Sequence, residues 1–375
     1  MSKVTRKVKI TVPCSSANIG PGFDVLGLTL SMFLTLDIEF LELPQTNANT
    51  ATDYTNETTL DYTGEGSESI SLKPTKNLIT KTALYVLACH NIFGFPVPLH
   101  IHVNNSIPMG RGLGSSGAAV VAGVLLGNVV GNLSLSKDRL LDFTLMVERH
   151  PDNVTAALMG GFVASYLREL EPKDTEAKNV PHSEESISIV GGNVFTDNND
   201  DDNKGDDNTK PRTVPLGIGH YIRLGWAKEI KAITIMPKFE VATATARSVL
   251  PNTYQRKDVV FNLQRLAVLT TALAQSPPDP DLIFQAMQDK VHQPYRKTLI
   301  PGLSRILSSV TPKTHPGLVG ICLSGAGPTI LALATHNFDV ISSAITLAFL
   351  EEDIETEVNV LEITESGAVA EEVQL

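Results

Sequence analysis

A glycine-rich segment in the first third of the chain has the residue types of a phosphate-binding loop. It runs Pro108-Met-Gly-Arg-Gly-Leu-Gly-Ser-Ser-Gly117. Glycines let a backbone wrap closely around phosphate oxygens, and a helix starting directly behind them adds N–H groups and partial positive charge. Ser115 and Ser116 add hydroxyls that can hydrogen-bond a phosphate or reach a metal ion. The alternative is a tight turn before a core helix, but the glycines, two serines and an arginine are costly for that purpose alone.

Two common nucleotide-binding motifs do not fit this segment. Gly112 to Gly117 satisfies G-x-G-x-x-G, and Asp138 lies at the spacing of a ribose-binding acid. That motif needs a strand leading straight into its first glycine, whereas the predicted strand ends near Val103 and Pro108 intervenes. Asp138 also falls in the first turn of a predicted helix. No G-K-[S/T] follows the loop, which excludes a Walker-type P-loop.

Two other pairs of polar residues could bind a charged small molecule. Asn18 and Asp24 flank a Gly-Pro-Gly turn, and an amide oxygen with a carboxylate suits an ammonium group. The same two residues could equally stabilise the turn itself. Arg247 and Arg296 each offer a planar guanidinium that can hold a carboxylate with two hydrogen bonds. An ordinary surface arginine is the alternative at both positions.

The run from Glu148 to Asn153 (Glu-Arg-His-Pro-Asp-Asn) concentrates polar groups at the end of a predicted helix. A carboxylate such as Glu148 is unfavourable at a helix C-terminus, which indicates a purpose other than local stability. His150 and Asp152 do not make a zinc site, because no third ligand lies at helical spacing. His150 could therefore be functional or merely structural, and Asp152 is predicted to cap a short helix.

The hydrophobic patterns place these residues on alternating strands and helices, which predicts an α+β protein with two lobes. The predicted strands are 7–12, 34–43, 99–103, 230–236, 318–323, 329–334 and 357–363. The predicted helices are 77–93, 118–130, 136–148, 243–249, 258–274, 281–292 and 338–349.

Composition limits the class of protein further. The 375 residues carry a net charge of −11, which argues against a general nucleic-acid-binding protein or a partner of anionic membranes. Cys14, Cys89 and Cys322 are widely spaced and lack a C-x-x-C pair, which is typical of a reducing compartment. No apolar run is long enough to span a bilayer. These features predict a soluble, cytoplasmic protein.

The negative charge is concentrated in one segment. Within the segment 169–212, residues 169–210 contain twelve acidic and four basic side chains, and the centre has almost no apolar residue. Such a segment cannot bury enough surface to offset its ordering entropy, so we expect a disordered insertion. It separates an N-terminal lobe (1–168), which contains the predicted phosphate-binding loop, from a C-terminal lobe (213–375). A low-complexity acidic insertion of this kind indicates a eukaryotic, fungal source.

Three segments, in this order, resemble the motifs of the GHMP small-molecule kinases. They are Pro13-Cys-Ser-Ser-Ala-Asn-Ile-Gly-Pro-Gly-Phe-Asp24, the loop at 108–118, and Ser324-Gly-Ala-Gly-Pro-Thr329. The first has the form typical of the homoserine kinases. The resemblance implies an N-terminal lobe like domain 2 of ribosomal protein S5 and a ferredoxin-like C-terminal lobe, whose last strand can return to the N-terminal lobe. It also implies ATP and Mg2+ as cofactors and a homodimer.

The resemblance implies a role for each site residue. Those implied to bind ATP and its phosphates are Asn77, Pro108, Gly110, Arg111, Gly112, Leu113, Gly114, Ser115, Ser116 and Gly117. Those implied to bind the amino-acid substrate are Asn18, Asp24, Asn153, Arg247, Arg296 and Gly325. Those implied to be catalytic are Asn153, Thr243 and His150, while Ser116 and Glu148 are the implied magnesium ligands.

The implied reaction transfers the ATP γ-phosphoryl group to the side-chain hydroxyl of L-homoserine, giving O-phospho-L-homoserine for threonine biosynthesis. Neither the residues nor the resemblance identify a side chain that must abstract the hydroxyl proton. A related kinase for mevalonate, phosphomevalonate or a sugar is one rival, but those substrates have no α-amino group for Asn18 and Asp24. A catalytically silent metabolite sensor is the rival from another class.

Overall fold

The computed structural model describes residues 3–43, 53–170 and 214–375. The predicted insertion at 169–212 therefore lies almost wholly outside the described residues. Within the described ranges, no helix is both long enough and apolar enough to cross a membrane.

The described residues form strands and helices in alternating groups. The strands are β1 (Val4–Ala17), β2 (Leu26–Leu41), β3 (Thr59–Gly64), β4 (Leu99–Asn105), β5 (Phe162–Leu167), β6 (Gly219–Leu224), β7 (Lys231–Pro237), β8 (Leu318–Leu323), β9 (Ile330–Ala334), β10 (Thr356–Leu361) and β11 (Val369–Val373). The helices are α1 (Leu78–Cys89), α2 (Ser115–Val130), α3 (Lys137–Glu148), α4 (Pro151–Met159), α5 (Thr243–Ser248), α6 (Arg256–Ala272), α7 (Pro280–Ala286), α8 (Gln293–Arg296), α9 (Leu303–Ser309) and α10 (Phe338–Leu350).

A seven-stranded sheet organises the N-terminal lobe. Its path runs β11-β1-β2-β4-β3, and β2 is long enough to pair with β5 as well, which in turn pairs with β6. All pairs are antiparallel except β3 with β4. Two of these strands, β6 and β11, come from beyond residue 213, so both ends of the 213–375 range contribute to this sheet.

Helices α2, α3 and α4 pack against this sheet, α1 packs against α2, and together they bury a continuous apolar core. Helix α2 is apolar all round, and its Val120, Val121 and Val124 are fully buried. A helix buried on every side has a fixed position, so its N-terminus is held rigidly at one end of the lobe. That N-terminus immediately follows the glycine-rich loop.

A four-stranded antiparallel sheet organises the C-terminal lobe. Its order is β10-β7-β9-β8, which together with the intervening helices gives the β-α-β-β-α-β arrangement of ferredoxin-like lobes. Strand β7 is buried on both faces: Ile233 and Ile235 pack in a core with α9 and α10, while Ala232 and Met236 belong to the core of the N-terminal lobe. The two lobes therefore share a packed interface.

The segment between α7 and α8 differs from the predicted helix at 281–292. Helix α7 ends at Ala286 because the buried carboxylate of Asp289 accepts hydrogen bonds from the backbone N–H groups of Val291, His292 and Gln293. A side chain that satisfies these N–H groups competes with continuous helix. The break starts a new short helix, α8, which carries Arg296 into the cleft between the lobes.

Candidate active site

The glycine-rich loop connects β4 to α2 and has a backbone that side chains would not tolerate. Gly112 and Gly114 adopt left-handed conformations, with φ of 78° and 70°. A Cβ at Gly112 would stand 2.3 Å from the carbonyl oxygen of Ser324, and one at Gly114 would stand 2.2 Å from the Ser15 hydroxyl. Gly114 is also the N-cap of α2, so no side chain caps the first N–H groups of that helix. An uncapped helix N-terminus behind a glycine loop suits an anion.

The three sequence motifs meet at this loop. The Ser324 hydroxyl donates to the Gly112 carbonyl at 2.6 Å and lies 2.8 Å from the Ser16 hydroxyl. The backbone N–H of Ser15 donates to the Leu113 carbonyl at 3.2 Å. Each motif is thus hydrogen-bonded to another, although they are far apart in sequence. The loop is held between the two lobes rather than by its own lobe alone.

A cavity between the lobes contains most of the predicted site residues. Its lining comprises Asn18, Asp24, Pro108, Gly110, Arg111, Gly112, Gly114, Ser115, His150, Asp152, Asn153, Val241, Thr243, Arg247, Arg296, Gly325 and Ala326. Predicted site residues outside this lining are Asn77, Leu113, Ser116, Gly117 and Glu148. Lining residues that the sequence did not single out for the site are Asp152, Val241 and Ala326.

Asn77 lies outside the cavity lining, at the start of helix α1. Its side-chain oxygen accepts from the Ile79 N–H at 3.0 Å and so caps α1, while its amide donates to the Ser71 carbonyl at 3.1 Å. The residue is buried and lies away from the cavity lining. Asn77 therefore serves as the N-cap of α1, and its implied contact with ATP stays a prediction.

Ser116 and Glu148 lie together just behind the cavity. The Ser116 hydroxyl donates to the Glu148 carboxylate at 3.4 Å, which brings the start of α2 against the end of α3. In the described residues, no group of three or more His, Cys, Asp or Glu side chains could hold a metal ion. Mg2+ accompanying a nucleotide needs only one or two protein oxygens, because phosphates and waters supply the rest. The Ser–Glu pair therefore fits a nucleotide-borne Mg2+.

His150 connects Glu148 to the cavity. Its Nδ1 lies 2.7 Å from a Glu148 carboxylate oxygen, and its Nε2 is buried with no hydrogen-bond partner among the described residues. Burial disfavours the charged imidazole, but the hydrogen bond and the charge of Glu148 outweigh it and raise the pKa of His150. The carboxylate thus fixes the orientation of the ring of a residue that lines the cavity. Beside it, the Asn153 side-chain oxygen accepts from Ser15 at 3.1 Å.

The two arginines converge on one aromatic ring. The guanidinium carbons of Arg247 and Arg296 each lie 5.4 Å from the centroid of Phe23, and the ring of His292 stacks on Phe23 at 5.3 Å. Arg296 is only 1% exposed and donates to the carbonyls of Ala246 and Gly325. Burial, helped by the charge of Arg247, lowers its pKa to about 10. Phe23, which the sequence analysis did not single out for a role of its own, therefore packs against both arginines.

Asn18 and Asp24 make contacts expected of turn residues as well as of a binding site. Both have positive φ, 71° and 56°, which Asn and Asp tolerate better than most residues. The Asn18 side chain accepts from the Asp24 N–H at 3.0 Å and donates to the Gly325 carbonyl at 2.9 Å. The Asp24 carboxylate forms an ion pair with Arg247 at 2.6 Å.

Asp152 has a different place from the predicted one. Pro151 occupies the first position of α4, so His150 is the N-cap residue and Asp152 lies inside the first turn. The residue is 1% exposed and lines the cavity. Burial, reinforced by the negative charge of Asp24, raises its pKa to about 7. Its proximity to Asp24 could not be deduced from the sequence, because 128 residues separate the two positions.

The fold and the cavity define a class of small-molecule kinase. The family model of the GHMP kinases N terminal domain matches residues 77–161, which include the glycine-rich loop and the Glu148–Asn153 segment. A crystal structure of a homoserine kinase from Cytophaga hutchinsonii superposes with a TM-score of 0.70 over 99% of both chains, at 22% identity. The expected α+β class and GHMP kinase fold are thereby confirmed.

Similarity to known proteins over the whole chain distinguishes among the GHMP kinases. A homoserine kinase of Saccharomyces cerevisiae is 53% identical over 98% of this chain and 100% of its own. A homoserine kinase of Candida albicans is 48% identical over 99% of both chains. The chain belongs to the homoserine kinase family of GHMP kinases.

Proposed function

We propose that the protein transfers the γ-phosphoryl group of ATP to the side-chain hydroxyl of L-homoserine, producing O-phospho-L-homoserine and ADP for threonine biosynthesis. One observation carries this proposal: a single cavity brings the uncapped start of α2 together with two convergent arginines. Buried within its lining, Arg111 Nε and Arg247 Nε lack hydrogen-bond partners among the described residues. Unpaired buried donors are costly, and two anionic groups, a phosphate and a carboxylate, would satisfy them.

The glycine-rich loop and the start of α2 would hold the phosphates of ATP. Backbone N–H groups at an uncapped helix start provide fixed donors that need no reorganisation during transfer. Ser116 and Glu148 would hold the Mg2+, which neutralises charge on the β- and γ-phosphate oxygens when it is bound. Arg111 would add a cation at the edge of the same loop.

The other side of the cavity would hold the amino acid. Arg247 and Arg296 would bind its carboxylate, and Asn153 and Thr243 would position the hydroxyl toward the γ-phosphorus. The hydroxyl oxygen forms the new bond to phosphorus while the bond to the β–γ bridging oxygen breaks. The hydroxyl proton then passes to a phosphoryl oxygen, directly or through the Asn153 and Thr243 hydrogen bonds. Orientation of this kind supplies roughly 7–11 kcal/mol in well-aligned systems, so no dedicated base is required.

His150 would orient the bound groups rather than accept the hydroxyl proton as a base. Its Nδ1 contact with Glu148 holds the imidazole ring, and its free Nε2 offers one hydrogen bond to a bound substrate or phosphate. The rise in its pKa favours the protonated ring, which donates and cannot accept a proton. This favours a stabilising contact with the phosphoryl group.

A coupled assay of ADP release tests the proposal. Purified full-length protein is given ATP and Mg2+ with L-homoserine, mevalonate or galactose in parallel. We expect turnover with L-homoserine and at most background rates with the other two. Turnover of mevalonate or galactose instead would identify another GHMP activity, and ADP at background level with all three would favour the silent sensor.

We also propose a homodimer in the cytoplasm. Helix α6 supports the dimer, because Val260 and Leu263 are exposed on it at 43% and 60% while only three of its residues are buried. A helix with an uncovered apolar face is typical of an interface. Light scattering of the purified protein would report twice the chain mass, and a Leu263→Glu variant would report the monomer.

A further inference from the structure

A second cavity lies within the C-terminal lobe, away from the cavity between the lobes. Its volume is about 220 Å³, and it is formed where the end of α7, helix α8 and helix α9 meet beside β8. Strand β8 is an edge strand of the four-stranded sheet. No residue lines both cavities, so the phosphoryl-transfer reaction gives this second one no role.

The free edge of β8 presents backbone groups to this cavity. The Ser324 N–H donates to the Thr329 carbonyl at 2.9 Å, so hydrogen-bonded pairs between β8 and β9 recur at every second residue from there. The backbone N–H and C=O groups of Leu323 and Ile321 therefore point away from β9. The Leu323 N–H donates instead to the side-chain oxygen of Gln293 at 2.8 Å.

Ile321 has no such substitute for a neighbouring strand. The residue is only 2% exposed and lines the cavity. Its outward N–H and C=O groups have no hydrogen-bond partner within the described residues. Buried backbone groups without partners are rare and costly, so this edge is suited to a ligand that completes it.

Side chains around the edge add further donors and an apolar wall. Gln293 is buried, and its oxygen is used by β8, while its NH2 group has no partner in the described part of the chain. Lys297 ends α8 and brings an ammonium group to the same lining. Leu303 and Leu307, one turn apart on α9, form the apolar side.

The carboxylate of Asp289 in this lining is already satisfied. It accepts from the backbone N–H groups of residues 291–293 and from the side-chain amide of Asn262 at 2.7 Å. Lys297 is the only other charged residue of the lining. The groups that lack partners are therefore mainly donors, which favours an anionic ligand.

We propose that this cavity is a second ligand site, which binds a small aliphatic carboxylate. The carboxylate would accept hydrogen bonds from the Ile321 N–H, the Gln293 amide and the Lys297 ammonium group. The aliphatic chain would lie against Leu303 and Leu307. The Ile321 carbonyl can accept one further hydrogen bond, which an α-ammonium group would donate if the carboxylate belongs to an amino acid. The inference does not depend on the proposed function, because its residues lie outside the cavity between the lobes.

Calorimetric titration of the full-length protein with 4-methylpentanoate tests the site. The control ligand is 4-methylpentanamide, which has the same chain but no charge. We expect the acid to bind at least about 10-fold more tightly than the amide. L-leucine adds an α-ammonium group to the same acid and so distinguishes the two sources of the carboxylate. Tighter binding of L-leucine would identify an amino acid, and weaker binding would identify a plain carboxylic acid.

Substitutions assign the binding to this cavity. Ser304→Trp fills the cavity from α9, whereas Ser308→Trp places the same ring one turn further along, outside the lining. We expect Ser304→Trp to weaken binding of 4-methylpentanoate at least about 10-fold and Ser308→Trp to leave it within about 2-fold. Lys297→Gln should weaken it about 5-fold, while the surface control Lys313→Gln should not. Arg247→Leu should bind it as the wild type does.

Three results would overturn the inference. One is loss of binding in Arg247→Leu with Ser304→Trp unaffected, which would place the carboxylate in the cavity between the lobes. Another is equal binding of the acid and the amide, and the third is no binding of either.

Hydrogen exchange of the wild type covers the case in which a variant does not fold. We expect 4-methylpentanoate to slow amide exchange in residues 318–323 and 293–297 and to leave residues 241–248 unchanged. Slower exchange in residues 241–248 alone would contradict the assignment.

Discussion

The Asp152→Asn variant is predicted to be more stable than the wild type above neutral pH, because it removes a buried charge from the cavity. The substitution keeps the shape of the side chain and the acceptor for the Asn153 N–H. It removes a negative charge that the folded protein buries near Asp24. A residue that lowers stability while facing a cavity is typical of a binding site.

The size of this stability difference follows from the pKa of Asp152. In the unfolded chain the Asp152 carboxyl has its ordinary value of 3.8, and in the folded protein the value is about 7. The folded state therefore binds more protons between these values, so stability falls as the pH rises from about 4 to about 7. The full difference between the two pKa values corresponds to a loss of roughly 4 kcal/mol in the free energy of unfolding, as an upper limit. Because the new amide must find a partner for its NH2 group, we expect a net gain of about 2 kcal/mol at pH 8.

Thermal unfolding at pH 5 and pH 8 measures this gain. We expect Asp152→Asn to melt above the wild type at pH 8, with a clearly smaller difference at pH 5. Asp142→Asn is the matched control: Asp142 is also buried, but Arg139 and the N–H groups of Gly217 and Ile218 satisfy its carboxylate, so that variant should lose stability. Equal destabilisation of both variants, or a difference that does not change with pH, would refute the reasoning.

Three further substitutions test separate parts of the cavity. Arg247→Leu should raise KM for L-homoserine at least 30-fold, since a charge-assisted contact worth about 2 kcal/mol or more is lost, and leave ATP binding within about 3-fold; steady-state kinetics with each substrate varied checks this, and equal losses would contradict the carboxylate assignment. Phe23→Leu should raise the same KM about 10-fold through two lost cation–π contacts, whereas Phe23→Tyr should retain wild-type values. Gly112→Ala should abolish turnover because its Cβ would meet the Ser324 carbonyl, whereas at Gly117 the nearest atom is 3.4 Å away, so Gly117→Ala should fold and keep its melting temperature.

The local part of this site could be predicted from the sequence. The glycine-rich loop and the helix behind it depend on residues within a few positions of one another. Such features follow from backbone freedom and from hydrogen bonds to the first turn of a helix. The resemblance to known motifs then connected segments that lie far apart in the sequence, which no local rule can do.

The long-range part could not be predicted. The pairing of β11 with β1 joins residues more than 350 positions apart, and strand pairing of that kind has no local signal. Phe23 becomes significant only because Arg247 and Arg296 arrive from two different helices. The sequence predicts Asp152 as a helix cap, and only the fold shows its carboxylate near Asp24 with no ion pair among the described residues. Charge balance in a cavity is a property of the assembled fold, not of any single segment.

Direct analysis of the product tests the central claim most closely. The full-length protein is incubated with ATP, Mg2+ and L-homoserine, and the mixture is followed by phosphorus NMR and mass spectrometry. The account predicts one new phosphomonoester on the side-chain oxygen of homoserine, formed in equal amount with ADP. ADP formation without that ester, or phosphate attached elsewhere on the amino acid, would contradict it.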